Sequence, residues 1–134
     1  MAITKDDKWL FLGSDMPGHV KQIDVEGGKA ECVKDYGNLH HDGINAMCVS
    51  FDGRFLFTTS YDGVLKQIDV EGQSVVKDFG QVHYSGIESI VICRKDENLW
   101  TSDSLGNVCH ISLKADSRFR RTEFPGVHGS CIYA

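Results

Sequence analysis

The chain has 134 residues, 41% of them hydrophobic, with fourteen Lys and Arg against nineteen Asp and Glu for a net charge of -5. That length suits one ordinary domain with an adequate core, and the mixed, mildly acidic charge lacks the basic patch that a nucleic-acid partner requires. No apolar run is long enough to span a bilayer and "MAITKDDK" lacks the basic-then-apolar order of a secretory signal, so a cytoplasmic chain with no membrane partner is expected.

The first predicted strands lie in "KWLFLGSDMPGHVKQID", Lys8 to Asp24, which runs on into "VKQIDVEG", Val20 to Gly27. That phrase returns as "LKQIDVEG", Leu65 to Gly72. Self-similarity at a period of roughly 20 to 50 residues marks an architecture that copies one supersecondary unit. The clearest copy is "GINAMCVSFDGRFLFTTSYDGVLKQIDV", Gly43 to Val70, where apolar runs are separated by "FDGR" and "SYDG". Asp-Gly turns between short β-rich runs predict three strands joined by hairpins, and "SVVKDF", Ser74 to Phe79, supplies a fourth. A third copy, "GIESIVICRKDENLWTSDSLGNVCHIS", Gly86 to Ser112, repeats the pattern. Its outer strand is "FRRTEF", Phe119 to Phe124, where Arg118, Arg120 and Arg121 would guard a sheet edge.

Phe11, Phe57 and Trp100 share one repeat position, and Leu10, Leu56 and Leu99 share the adjacent one. Adjacent strand residues point to opposite faces, so both faces of each sheet are expected to be buried. A lone antiparallel sheet keeps one face wet. Four-stranded sheets sandwiched between neighbours are the blades of a β-propeller. The expected fold is therefore all-β: a single unit of three four-stranded antiparallel blades, spanning approximately 1–43, 44–86 and 87–134.

Within the middle copy, "HHDGINAMCVSFDGRFLFTTSYDGVLKQIDV", His40 to Val70, resembles a WD repeat in its histidine before the first strand, its Asp-Gly hairpin and its Ser-x-Asp-Gly turn. In that family a histidine, a strand hydroxyl, a turn aspartate and a tryptophan share a hydrogen-bond network. The resemblance maps its first three members to His40, Ser60 and Asp62, with Ile68 in the tryptophan's place. Leu105 takes the aspartate's place in the third copy and an extra residue near Met16 and Pro17 disturbs the turn of the first, so the network is expected in the middle copy alone. The resemblance also implies that loops before opening strands and second hairpin turns share one end of the ring, presenting His41, Asp42, Tyr61, Tyr84 and Ser85 to a protein or peptide partner.

Three blades fall short of the roughly 4 to 8 that close a ring. Overlaying Ala134 on Ala2 joins "GSCIYA" to "ITKDDKWLF", and the joined text aligns without a gap to "GINAMCVSFDGRFLF". Either copies assemble head to tail, or repeats outside these residues complete the ring. Two copies would give six blades and three would give nine, so a homodimer is preferred and a trimer is the larger alternative.

Five cysteines, an odd count without a C-x-x-C pair, give neither a zinc motif nor a disulfide framework, and reduced, mostly buried thiols are expected. His40 with His41, His83 and His128 occupy repeated positions in different blades, so neither a metal site nor a cofactor is expected. No Gly-x-Ser-x-Gly elbow exposes a nucleophile. The expected function is a non-enzymatic interaction or scaffold module. The alternative is a small-ligand or enzymatic propeller with its site in the central channel, which the apolar opening strands "AMCVS" and "SIVIC" disfavour.

Overall fold

The computed structural model describes residues 1–114 and 121–129. Twelve strands among them form three four-stranded antiparallel sheets, each in simple sequence order. The first blade holds β1 (Ala2–Ile3), β2 (Trp9–Gly13), β3 (Gly18–Asp24) and β4 (Glu31–His40). The second holds β5 (Ile44–Val49), β6 (Phe55–Ser60), β7 (Val64–Asp69) and β8 (Ser74–Gln81). In the third are β9 (Ile87–Ile92), β10 (Asn98–Asp103), β11 (Val108–Ser112) and β12 (Arg121–Phe124). The segment 130–134, expected to open a further strand, and Arg118 and Arg120 lie outside the described residues.

The strands follow the local chemistry. At the first hairpin of the first two blades a strand-end hydroxyl takes the place of a backbone partner. Trp9 N–H donates to Thr4 Oγ1 at 3.0 Å and Phe55 N–H to Ser50 Oγ at 2.9 Å, while the two hydroxyls donate to Asp6 and Asp52. Those hydrogen bonds hold both carboxyls below their ordinary value. Cys93 stands at this position in the third blade, where backbone bonds close the turn, Cys93 N–H to Asn98 O at 3.0 Å and Asp96 N–H to Cys93 O at 2.9 Å.

β5 lies beside both β1 and β9, so the opening strands are innermost and β4, β8 and β12 form the outer edges. Two cores fill the two joints. Between the first and second blades Phe11, Val20, Tyr36, Met47, Leu56 and Ile68 pack together. Phe57, Leu65, Ile87, Ile90, Leu99 and Ile111 do so between the second and third. Leu56 thus faces backwards and its neighbour Phe57 forwards, and the middle blade is dry on both sides. Polar groups cross the first joint as well. The buried Tyr36 hydroxyl donates to Gln22 Oε1 at 2.8 Å and to Val70 O at 3.1 Å, and burial, aided by Asp69, pushes its pKa up to about 12.

The cysteines depart from expectation. Cys109 is buried and Cys48 and Cys93 are partly so, but Cys32 is exposed, because it lies on β4, an outer edge strand that faces water. Arg121 also does more than charge an edge, since its guanidinium donates to Gln81 O on the preceding blade at 3.0 Å. No helix among the described residues is long and apolar enough to cross a membrane.

Candidate functional site

Loops between blades and turns between second and third strands meet at one end of the sheets, stitched by backbone bonds. Ile44 N–H donates to Ser14 O at 3.0 Å, Tyr61 N–H to Gly43 O at 3.2 Å and Ser104 N–H to Gly86 O at 3.1 Å. The ring of Tyr61 lies between two glycines from successive loops. A Cβ at Gly43 would sit 3.2 Å from Tyr61 Cδ2, and one at Gly86 would sit 3.3 Å from Cδ1. Their lack of side chains makes the slot that holds the ring upright.

The five residues named for this end fall into two groups. His41 is exposed, Tyr61 is 48% exposed and Tyr84 87% exposed. Asp42 and Ser85 are half-buried. The Asp42 carboxylate accepts from Gly43 N–H at 2.8 Å, whereas the Ser85 hydroxyl is buried without a hydrogen-bond partner, near the Asp103 carboxyl. The exposed group combines apolar ring area with polar tips, the composition enriched where proteins bind one another.

Beneath this surface the histidines link successive blades, and here the structure corrects the expected pattern. His40 is buried, and its Nε2 pairs with Thr58 Oγ1 at 2.8 Å rather than with Ser60. Ser60 Oγ instead accepts from Asp62 N–H at 3.3 Å, and the Asp62 carboxylate accepts from Val64 N–H at 3.0 Å. His40 Nδ1 is buried without a partner. Burial, reinforced by the Lys66 charge, lowers the His40 pKa to about 4, so the ring is neutral.

The fuller network belongs to the third blade. His83 Nε2 pairs with Thr101 Oγ1 at 2.8 Å and Nδ1 with Asp103 Oδ2 at 3.1 Å, all three residues being buried. Asp103 occupies the Ser60 position, not the position of Asp62. From the end of β10 its carboxylate also accepts from Leu105 N–H at 3.0 Å and Asn107 N–H at 2.8 Å, so one residue serves both the histidine and the turn. Burial opposes its ionisation, but the bonds from Asn107, with the nearby Ser85 hydroxyl and the His83 ring, hold its pKa below the ordinary value. His83 is shifted down, because burial outweighs the attraction of Asp103. Hydroxyl, imidazole and carboxylate stand in the order of a nucleophile, base and orienter, yet Thr101 is only 2% exposed and a substrate carbonyl has no path to it. The network is a clamp between blades. Among the described residues no group of three or more His, Cys, Asp or Glu converges as a metal site.

Three four-stranded sheets in sequence order, joined face to face and clamped by a histidine that precedes the opening strand, define a β-propeller unit of three blades. Residues 31–69 match the sequence profile of the WD domain, G-beta repeat. That span takes β4 with β5 to β7, and so covers the His40–Thr58 bond that crosses the joint. The chain is also 29% identical over 75 residues to the WD repeat domain-containing protein 83 homolog of Dictyostelium discoideum, an alignment covering 56% of this chain and 22% of that protein. The match thus spans about a fifth of the relative's length. The chain is thus similar to WD-repeat proteins over part of its length, with a degenerate repeat signature.

Proposed function

We propose that the chain is a non-enzymatic interaction module that docks a protein or peptide on the loop end carrying His41, Tyr61 and Tyr84, with Asp42 holding its loop in place and Ser85 beside Tyr84. The observation that supports this most is the seating of exposed tyrosines on backbone-bonded loops, with Tyr61 set between Gly43 and Gly86. Binding residues held by a rigid scaffold lose little conformational freedom on association. In this proposal the module acts in the cytoplasm. Further blades complete its ring, supplied by a second copy head to tail or by repeats of a longer chain.

The test compares capture of cellular protein by the wild-type chain, by a His41→Ala/Tyr84→Ala variant and by an outer-edge control, Val76→Ser. A protein retained by wild type and control but lost from the double variant supports docking at the loop end. Equal retention by all three, with unchanged circular dichroism, overturns it.

A further inference from the structure

We propose that the forward face of the third blade is covered by the backward face of the first blade in a second copy of this chain. This deepens the ring completion just proposed by naming the partner and the two faces. Within the chain each joint sets one kind of face on the other. Phe11 and Phe57, 0% and 1% exposed, point forwards into the joints, and Leu56 with Ile68, or Leu99 with Ile111, point backwards to meet them.

The two faces left open are one of each kind. Trp100 holds the Phe11 and Phe57 position on the third blade, yet it is 40% exposed. It stacks on Phe124 at 6.0 Å and lies 4.6 Å from the His110 ring, with Val91 exposed beside it. On the first blade Leu10 and Ile23 hold the Leu56 and Ile68 positions but are only half-buried, and Ile3 and Leu12 beside them are exposed. Matching like with like would set two aromatic faces together, an arrangement that neither internal joint uses. Matching head to tail reproduces both.

One polar contact of the first joint can recur in the same sense. Lys66, on the backward face of the second blade, donates to Leu39 O of the blade before it at 2.7 Å. Lys21 holds the same position on the first blade. On the third blade the place of Leu39 is taken by Val127, since "VH" at 127–128 repeats "VH" at 82–83 and "LH" at 39–40. The backbone agrees, because His128 N–H donates to Gly106 O at 3.2 Å as His83 N–H does to Gly63 O at 3.3 Å. In the paired copies Lys21 of one donates to Val127 O of the other. One feature differs. Leu12 stands where Thr58 and Thr101 pair with a histidine, so the joint between copies is more apolar than those within one copy.

Light scattering of the purified 134-residue chain tests this directly. The expected mass at micromolar concentration is about twice 14.9 kDa. Trp100→Glu, or Val91→Lys if the first fails to fold, disables the forward face, and Leu12→Glu disables the backward one. Each variant alone is expected to run as a single copy, because a two-copy ring has two identical joints. Mixing a forward-disabled with a backward-disabled variant is expected to restore pairing, through the single joint that remains intact. A wild-type mass of one copy overturns the proposal, since the faces are then wet or await another chain. So does a mixture that fails to pair while wild type pairs, since that outcome indicates like-to-like contact. A Tyr61→Ala/Tyr84→Ala variant is expected to keep the paired mass. Loss of docking with pairing intact therefore indicts the loop end, and loss of pairing with docking intact indicts the faces.

Discussion

Replacing Gly63 with alanine tests how closely the blades approach. Gly63 directly precedes β7 with φ +79, and a Cβ built on it would lie 2.1 Å from His83 O and 3.0 Å from Ser85 O. Both oxygens belong to backbone, so no flexible side chain can yield. The left-handed conformation alone costs a non-glycine residue about 1–2 kcal/mol. Moving the loop away also weakens the bonds that Gly63 O receives from Val82 N–H at 2.9 Å and His83 N–H at 3.3 Å, each contributing about 1 kcal/mol. A similar amount is lost as His83 shifts from Thr101, giving a total of about 4 kcal/mol. Gly80 provides the control. Its φ is +67, but nothing lies within 4 Å of a Cβ there, so Gly80→Ala is expected to cost only the conformational share, about 1 kcal/mol. Urea unfolding with unchanged slope measures both, and amide exchange at Val82 and His83 should quicken in Gly63→Ala alone. Equal destabilisation by the two variants would refute the close approach between loop and turn.

Phe57→Ala should cost about 3–5 kcal/mol, the range for a buried aromatic. Trp100→Ala, at the same repeat position on an open face, should leave the unfolding of a single copy within about 1 kcal/mol of wild type. Asp103→Ala should destabilise by about 2–4 kcal/mol because it strips His83 and the turn together. Asp62→Ala loses one turn bond and should cost about 1 kcal/mol, and chemical denaturation ranks the two. The buried histidines add an acid sensitivity. Because the folded pKa of His40 is lowered to about 4 from an ordinary 6.5, the unfolded chain binds the extra proton first. Stability is full above pH 6.5 and falls as the pH drops towards 4, by at most about 3 kcal/mol before solvent screening. His40→Gln should flatten that part of the profile, as read by urea midpoints at pH 7 and pH 4.5.

Much of the fold was legible because it is written in two periodicities, the alternation of faces along a strand and the recurrence of whole blades. Leu56 beside Phe57 requires two buried faces, and the structure places a core on each side of that sheet. The histidine clamp was less legible. Matching residues by turn position pointed to Asp62 and discounted the third blade for its Leu105. A buried imidazole selects a carboxylate by distance and not by place in the sequence, and Asp103 reaches His83 from the strand end. A signal was present: "TSD" at 101–103 aligns with "TTS" at 58–60, so a carboxylate replaces Ser60 two residues downstream of the threonine that binds the ring. In the second blade, where Ser60 replaces that carboxylate, His40 Nδ1 lacks a partner and Ser60 Oγ accepts from Asp62 N–H instead.

That contrast makes Ser60→Asp a constructive test of the clamp. The carboxylate would stand where Asp103 stands, within reach of His40 Nδ1, and would satisfy a buried donor that now has no acceptor. Its charge should raise the His40 pKa from about 4 towards the ordinary range, as Asp103 partly does for His83. Stability at neutral pH should hold or rise by about 1 kcal/mol, the worth of one added bond. Imidazole titration by NMR separates the outcomes. An upward shift at His40 supports a shared geometry in both blades. An unchanged His40 with a destabilised fold would mean that the Ser60 site leaves the carboxylate stranded away from the ring, and that the two clamps differ in backbone as well as in residue.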